Sequence, residues 1–312
     1  MLYAIEVVLI EFPVSGVETF FWLPTVVAFL ISCLTSMGGI SGAFVILPFQ
    51  VSILGFSSPA VSPTNLIFNI VAIPSGIYRF MREGRMLWPL AMIIVAGSLP
   101  GLLAGVVIRV TWLPDPQNFK LFAGFVLLLI SFRVWLDLFS PEKTNRIQEQ
   151  KSDPATNKSF AVSNVSYRLR RLSFDFDNQN YRVSNLGLFA LSLVVGLVGG
   201  AYGVGGGAFI APVLVSVYRL PVYTVAGAAL TSTFVTSVLG VIFYAVLGQE
   251  LSSARETVRP DFLLGLAFGL GGAAGMYLGA RIQKHLPQKL IKLILGFSVT
   301  AIALKYILGH FL

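Results

Sequence analysis

The sequence predicts an all-α, polytopic integral membrane protein made of two inverted repeats, and three observations predict it. Of 312 residues, 55% are hydrophobic and 12% charged, and mean hydropathy is +0.80, far from the balance of a water-soluble domain. Two of the apolar segments are too long to be single spans and carry glycine clusters partway along. The second half of the chain also repeats the first in register.

The apolar segments run over 20–55, 59–81, 86–110, 117–139, 185–218, 221–247, 260–283 and 287–311. An unbroken helix of about 35 residues would be about 50 Å long, against a hydrocarbon core of about 30 Å. The first and fifth segments must therefore break or fold back, so that eight segments count as ten helices. The breaks are expected at "SMGGISG" (36–42) and "GAYGVGGG" (200–207), where glycine tolerates a turn.

Comparing residue n with n + 164 aligns Gly39, Gly42, Ile46, Pro48 and Val51 with Gly203, Gly206, Ile210, Pro212 and Val215. The register continues through Val61, Leu66, Gly76 and Gly84 against Val225, Leu230, Gly240 and Gly248. After a short insertion the offset is 172, pairing Arg109, Lys120, Gly124 and Phe125 with Arg281, Lys292, Gly296 and Phe297. The chain divides into an N-terminal segment (1–19), a first transmembrane repeat (20–139), a linker loop (140–184) and a second repeat (185–312). Within the linker, "YRLRRLSFDFDNQNYRV" alternates apolar and polar residues around "DNQN", the pattern of a small hairpin. A flexible linker is the preferred reading of this polar stretch.

Charge sets the topology. If each long segment folds back at its glycines, the halves are inverted, and Arg79, Arg82, Arg85, Arg133, the linker residues, Arg219, Arg281, Lys284, Lys289 and Lys292 collect on one side. The other side keeps Arg109, Lys120, Arg255, Arg259 and Lys305. A straight-through threading separates them less well, so inversion is favoured and the 140–183 loop is cytoplasmic. The +8 net charge belongs to segment ends that face anionic lipid, not to a basic face with stacking aromatics, which excludes nucleic acid as a partner. Cys33, the one cysteine, lies inside an apolar run and leaves no disulfide within the chain and no thiolate metal site; no cofactor is expected. Glu6, Glu11 and Glu18 precede the first apolar run without any Lys or Arg, the reverse of a signal peptide, so the N-terminus is expected to remain in the mature protein.

A glycine turn leading into a helix inside the membrane offers close backbone approach and the unpaired N–H groups of a helix N-terminus, for which an anion is the natural guest. Gly39, Ser41 and Gly42 in the first half and Gly203, Gly205, Gly206 and Gly207 in the second are the candidate binding loops. Close helix packing through small residues is the competing explanation for any one of these glycines. The next helix of each half carries polar residues at the same depth: Asn65 and Asn69 in "SPTNLIFN", and Thr231, Ser232, Thr233 and Thr236 in "ALTSTFVTS". Amides and hydroxyls donate to an oxyanion without burying a charge, although Ser and Thr also bond back to their own helix. Arg79 and Arg82 would gather anions at an inner mouth or contact headgroups, and Arg109 and Arg281 are repeat mates at span ends with the same two uses. The spans hold no deep carboxylate or histidine, no HExxH and no aspartate pair, so hydrolytic chemistry and a buried proton relay are not expected, and the chain is not read as an enzyme.

On "GGISGAFVILPF" (38–49), "GVGGGAFIAPVLV" (203–215), Gly84 and Gly248, the chain resembles the TauE/SafE family of sulfite and organosulfonate permeases, over residues 20–138 and 185–311. The resemblance implies a secondary transporter of the cell membrane that moves sulfur-containing anions such as sulfite, sulfoacetate or other organosulfonates, in the export direction. It also implies glycine turns 38–42 and 203–207 as binding loops. The small anionic substrate, the lipid bilayer and a coupling proton or sodium ion are the expected partners. Two departures bear on substrate preference: "GGISG" stands for a fuller glycine run, and "SPTNL" stands where many members have a Gly-Thr-Ser-Leu type sequence. The alternatives are an uncoupled anion channel, an importer using cysteine chemistry, which a lone Cys33 disfavours, and a sensor or scaffold acting through the 140–183 loop.

Overall fold

The computed structural model describes residues 9–36, 41–56, 58–139, 162–168, 170–176, 179–207, 209–216, 218, 220–251, 258–282 and 288–311. In chain order the first half holds strands β1 (Leu9–Phe12) and β2 (Val17–Phe20), then helices α1 (Leu23–Ser36), α2 (Ala43–Ser52), α3 (Val61–Arg82), α4 (Trp88–Thr111) and α5 (Pro116–Phe139). Strands β3 (Ser163–Arg168), β4 (Arg171–Phe176) and β5 (Gln179–Ser184) separate it from α6 (Asn185–Tyr202), α7 (Ile210–Ser216), α8 (Val222–Leu251), α9 (Phe262–Ile282) and α10 (Gln288–Phe311).

Each overlong segment is interrupted at its glycines. Helix α1 has 14 residues and α2 has 10, about 21 Å and 15 Å, so neither alone crosses a membrane. Helix α6 ends at Gly203, whose φ of 80° and bond from its N–H to the Gly199 carbonyl make a left-handed stop; Gly205, at φ 88°, continues the turn. Among the described residues, the helices over Trp88–Thr111, Asn185–Tyr202, Thr224–Leu247 and Phe262–Ile282 are long and apolar enough to span a bilayer.

Helix directions follow from residue pairs. Thr25, Phe29 and Cys33 of α1 meet Gly271, Gly275 and Gly279 of α9 in ascending order, so these helices run parallel. In the same way Phe189, Leu193 and Leu197 of α6 meet Gly97, Gly101 and Gly105 of α4. At all six glycines any side chain would run into the facing backbone, which is the small-residue packing of close membrane helices. The repeat mates α3 and α8 run antiparallel, with Leu66 against Gly240, Asn69 against Ser237, Gly76 against Leu230 and Phe80 against Gly227. Helices α5 and α10 also cross antiparallel, through Gly124 beside Ala303 and Tyr306 and through Ser131 on Gly296 and Thr300. Helix α3 lies along α9 and its mate α8 along α4, so each of these contacts between the halves has its repeat-exchanged counterpart.

Two small β structures correct the all-α expectation. The β1–β2 hairpin reaches the start of α9, where the Ser15 N–H and hydroxyl donate to Asp261 Oδ2 at 3.0 and 2.9 Å. The preferred flexible-linker reading fails over 163–184, which forms an antiparallel sheet in the order β3–β4–β5. Leu172, Phe174, Phe176 and Val183 share its buried face, packed with Leu87, Leu90 and Ile94 around α4 and with Leu188, Leu214 and Leu220 of the second half. Residues 140–161, the rest of that linker, lie outside the described residues.

Candidate functional site

The two glycine turns meet. Asn65 and Asn69, one helical turn apart on α3 and fully buried, reach both of them. Asn65 Nδ2 donates to the Ala43 carbonyl at 3.1 Å in the first turn region and to the Gly203 carbonyl at 2.8 Å in the second, while its Oδ1 accepts from Gln50 Nε2 at 3.4 Å. Asn69 Nδ2 donates to the Val204 carbonyl at 2.7 Å and to Ser237 Oγ at 3.2 Å, and its Oδ1 accepts from Ser41 Oγ at 2.5 Å. An amide has two N–H donors, so all four are committed, three to backbone carbonyls of the turn regions and one to α8. In this conformation the two asparagines are braces that join the turns.

The second turn is consolidated by α8. The Gly206 N–H donates to Thr236 Oγ1 at 2.8 Å, and Thr236 Oγ1 donates to the Ser232 carbonyl at 2.7 Å. Ser232 Oγ lies 3.2 Å from Ser98 Oγ of α4. Thr233 and Thr231 bond back to the carbonyls of Ala229 and Gly227, both at 2.9 Å, the local use of hydroxyls in helices; Thr231 also lies 3.8 Å from the Met86 sulfur. A side chain at Gly203 would meet Ser62, and one at Gly207 the Ala229 carbonyl and Thr233. Gly203, Gly205, Gly206 and Gly207 therefore let the turn press against α3, α4 and α8.

Of the first turn, Ser41 and Gly42 are among the described residues. Gly42 is the N-cap of α2 and supplies no side-chain cap; the Ala43 N–H bonds to Ser41 Oγ at 3.3 Å. A Cβ at Gly42 would lie 3.0 Å from Ser32 Oγ and 3.3 Å from Thr35 Oγ1, both fully buried on α1. Gly39 falls outside the described residues.

Arg79 and Arg82 are not gathered into this site. They end α3, about 15–20 Å along the helix from Asn69. Arg79 is paired with Glu83 at 2.8 Å, Arg85 with the same carboxylate at 3.1 Å, and Arg82 is exposed. A cation that sequence reasoning left undecided stands closer to the second turn. Arg109 is fully buried; its Nε donates to Ser62 Oγ at 3.1 Å, its NH1 reaches the Leu113 carbonyl, and its guanidinium lies 3.9 Å over the Phe119 ring. Ser62 in turn abuts Gly203. Its repeat mate Arg281 is exposed, so symmetry in the sequence hid a difference in burial.

What converges at the two turns is a fully buried set of neutral amides and hydroxyls, with a guanidinium nearby. Such a set suits an anion, because neutral donors stabilise negative charge without the cost of carrying their own into the membrane. Among the described residues, no group of His, Cys, Asp and Glu could hold a metal ion.

No curated protein and no solved structure matches the chain. A family model described as "Sulfite exporter TauE/SafE" matches residues 25–306, from within α1 to within α10, and takes in both turns and both asparagines. Members of that family are membrane transporters of sulfur anions, and with nearly its whole length matched this chain belongs to the TauE/SafE sulfite exporter family.

Proposed function

We propose that the chain is a secondary transporter that exports a sulfur-containing oxyanion, sulfite or an organosulfonate such as sulfoacetate, by alternating access around the meeting point of its two turns. The observation that carries this reading is the asparagine bridge: Asn65 and Asn69 span from the first turn region to the second, at fully buried positions on α3. In the state described here the bridge closes the site. Parting of the turns frees amide N–H groups that an oxyanion can take in their place, and re-forming the bridge on the other side expels it.

The two halves act as inverted repeats in a multi-pass protein of the plasma or inner membrane, with the 140–183 loop in the cytoplasm. The antiparallel courses of α3 and α8 and of α5 and α10 support inversion, as does the side on which most Lys and Arg collect. Because α1 packs along α9 and α4 along α6, the bodies that rock are cross-half groups, α1–α3–α9 against α4–α6–α8, rather than the sequence halves themselves.

The test is flux in proteoliposomes. Vesicles loaded with sulfite or sulfoacetate should lose it only when they carry the protein, and an imposed proton or sodium gradient should drive it uphill. Gly206→Val, whose side chain would strike Ser98 and Thr236, should abolish flux. Wild-type protein that moves none of these oxyanions under either gradient refutes the proposal, and flux that never runs uphill makes the protein a channel.

A further inference from the structure

We infer that the oxyanion seats at the N-terminus of α2, with the hydroxyl of Ser32 as a donor. This rests on the transport reading above and narrows it to one subsite. Three observations point there. Helix α2 has 10 residues and begins at Gly42, which lies against α1 and brings the positive dipole end of the helix there; its Ala43 N–H is held at 3.3 Å by Ser41 Oγ. Ser32 Oγ is fully buried, has no hydrogen-bond partner, and is the nearest atom to the position a Gly42 side chain would take, at 3.0 Å; Thr35 Oγ1 follows at 3.3 Å. An unpaired buried hydroxyl costs free energy that a bound oxyanion would recover.

The second turn lacks this construction. Its Gly206 N–H is held at 2.8 Å by Thr236 of another helix, where the Ala43 N–H of the first is held at 3.3 Å by Ser41 beside it, and α7 has only 7 residues. At the positions matching Ser32, Thr35 and Ser36 in the repeat register, α6 carries Gly196, Gly199 and Gly200, all pressed against backbone of α4 or of the second turn.

The nearby C-terminal turn of α1 presents carbonyls, which suit a cation, but two of them are occupied. Thr35 Oγ1 donates to the Ser32 carbonyl at 3.5 Å and Ser36 Oγ to the Cys33 carbonyl at 3.2 Å. Ser32 Oγ thus remains as a donor aimed at the helix end where negative charge is favoured. Glycine at position 42 leaves the Ser32 hydroxyl uncrowded, since a Cβ there would lie 3.0 Å from its oxygen.

The experiment is calorimetric binding of sulfite to the purified full chain, with sodium sulfite, choline sulfite and sodium chloride as separate titrants. Ser32→Ala should weaken sulfite binding about tenfold to a hundredfold, the worth of one hydrogen bond to a charged group. Ser32→Thr, which keeps the hydroxyl, should bind within a few-fold of wild type, and the ligand-free melting temperature of both should match wild type. Gly42→Ala, whose Cβ would lie 3.0 Å from Ser32 Oγ and obstruct it, carries the same test should Ser32→Ala fail to fold. Variants that bind sulfite as tightly as wild type overturn the subsite and leave the transport reading intact. Wild-type protein that binds no oxyanion overturns the transport reading first. A sodium-dependent heat lost in Ser32→Ala with sulfite affinity retained makes this a cation site and also overturns the inference.

Discussion

The two halves share a scaffold and differ in what they hang on it. Among the described residues, five helices follow one another in the same order in each, and the cross-half pairs α1–α9 and α6–α4 mirror one another. Yet α1 presents Ser32, Thr35 and Ser36 where α6 has Gly196, Gly199 and Gly200, and α3 presents Asn65 and Asn69 where α8 has Ala229 and Thr233. Arg109 is buried beside Ser62, while Arg281 is exposed. The second half uses glycine to bring backbones together and lock its turn; the first spends the same positions on hydroxyls and amides. The helix order is kept between the halves, and what differs is the polar side chains that the helices carry.

Exchanging residues between the halves is the most direct way to break that contrast. Gly196→Ser installs the first-half hydroxyl in the second half, against the Ser98 backbone; it should cost about 3 kcal/mol or more by overpacking, read as a fall in melting temperature in mild detergent. The converse Ser32→Gly removes a side chain that makes no hydrogen bond and should cost about 1 kcal/mol, the penalty of glycine within a helix.

Asn69→Leu strands Ser41, the Val204 carbonyl and Ser237 together, and should cost about 2–3 kcal/mol as well as abolish flux. Thr233→Val at its repeat mate loses one bond back to Ala229 and should stay under about 1 kcal/mol. Next in size, Arg109→Gln forfeits the contact with the Phe119 ring, about 2 kcal/mol in a desolvated setting, whereas Arg281→Gln should stay within about 0.5 kcal/mol.

The smallest effect belongs to the β3–β5 sheet. Side-chain bonds from Asn180 and then Asn164 hold the Asp175 carboxyl below its ordinary value of about 4. That contribution is present above the ordinary value and is lost as pH falls through the lowered one. Protease sensitivity confined to 163–184 should therefore rise only at strongly acidic pH, with helical circular dichroism unchanged.

The breaks in the long segments were legible because chain length and bilayer thickness leave no other solution. The β4 strand was legible as well, since "RLSFDF" alternates, but overall polarity argued for a flexible linker, and the apolar surface that Leu172 and Phe174 cover comes from helices on both sides of the loop. Asn65 and Asn69 could be singled out as polar residues inside a span. Their partners could not, because the Asn65 bond to Gly203 closes a separation of 138 residues. Ser32 and Thr35 sit in "LISCLTS" with Ser36, and nothing local tells the hydroxyl that faces α2 from those that bond back to α1. Arg109 was masked by its symmetry with Arg281, since burial is decided by neighbours such as Ser62 and Phe119, which have no counterpart around the mate.

The exchange of partners between halves also fixes an order of assembly. Helix α4 acquires α6 soon after the sheet between them has been synthesised. Helix α1 instead waits for α9, and the Thr25 bond to the Ala267 carbonyl closes 242 residues of chain. During synthesis the first helix therefore stays in the bilayer without its glycine-lined partner until the chain is nearly complete. A contact of such high sequence separation is slow to form and leaves α1 open to mispairing in the meantime. Chains truncated before residue 262 should hold α4, α6 and α8 together while α1 stays open to protease and to chaperones.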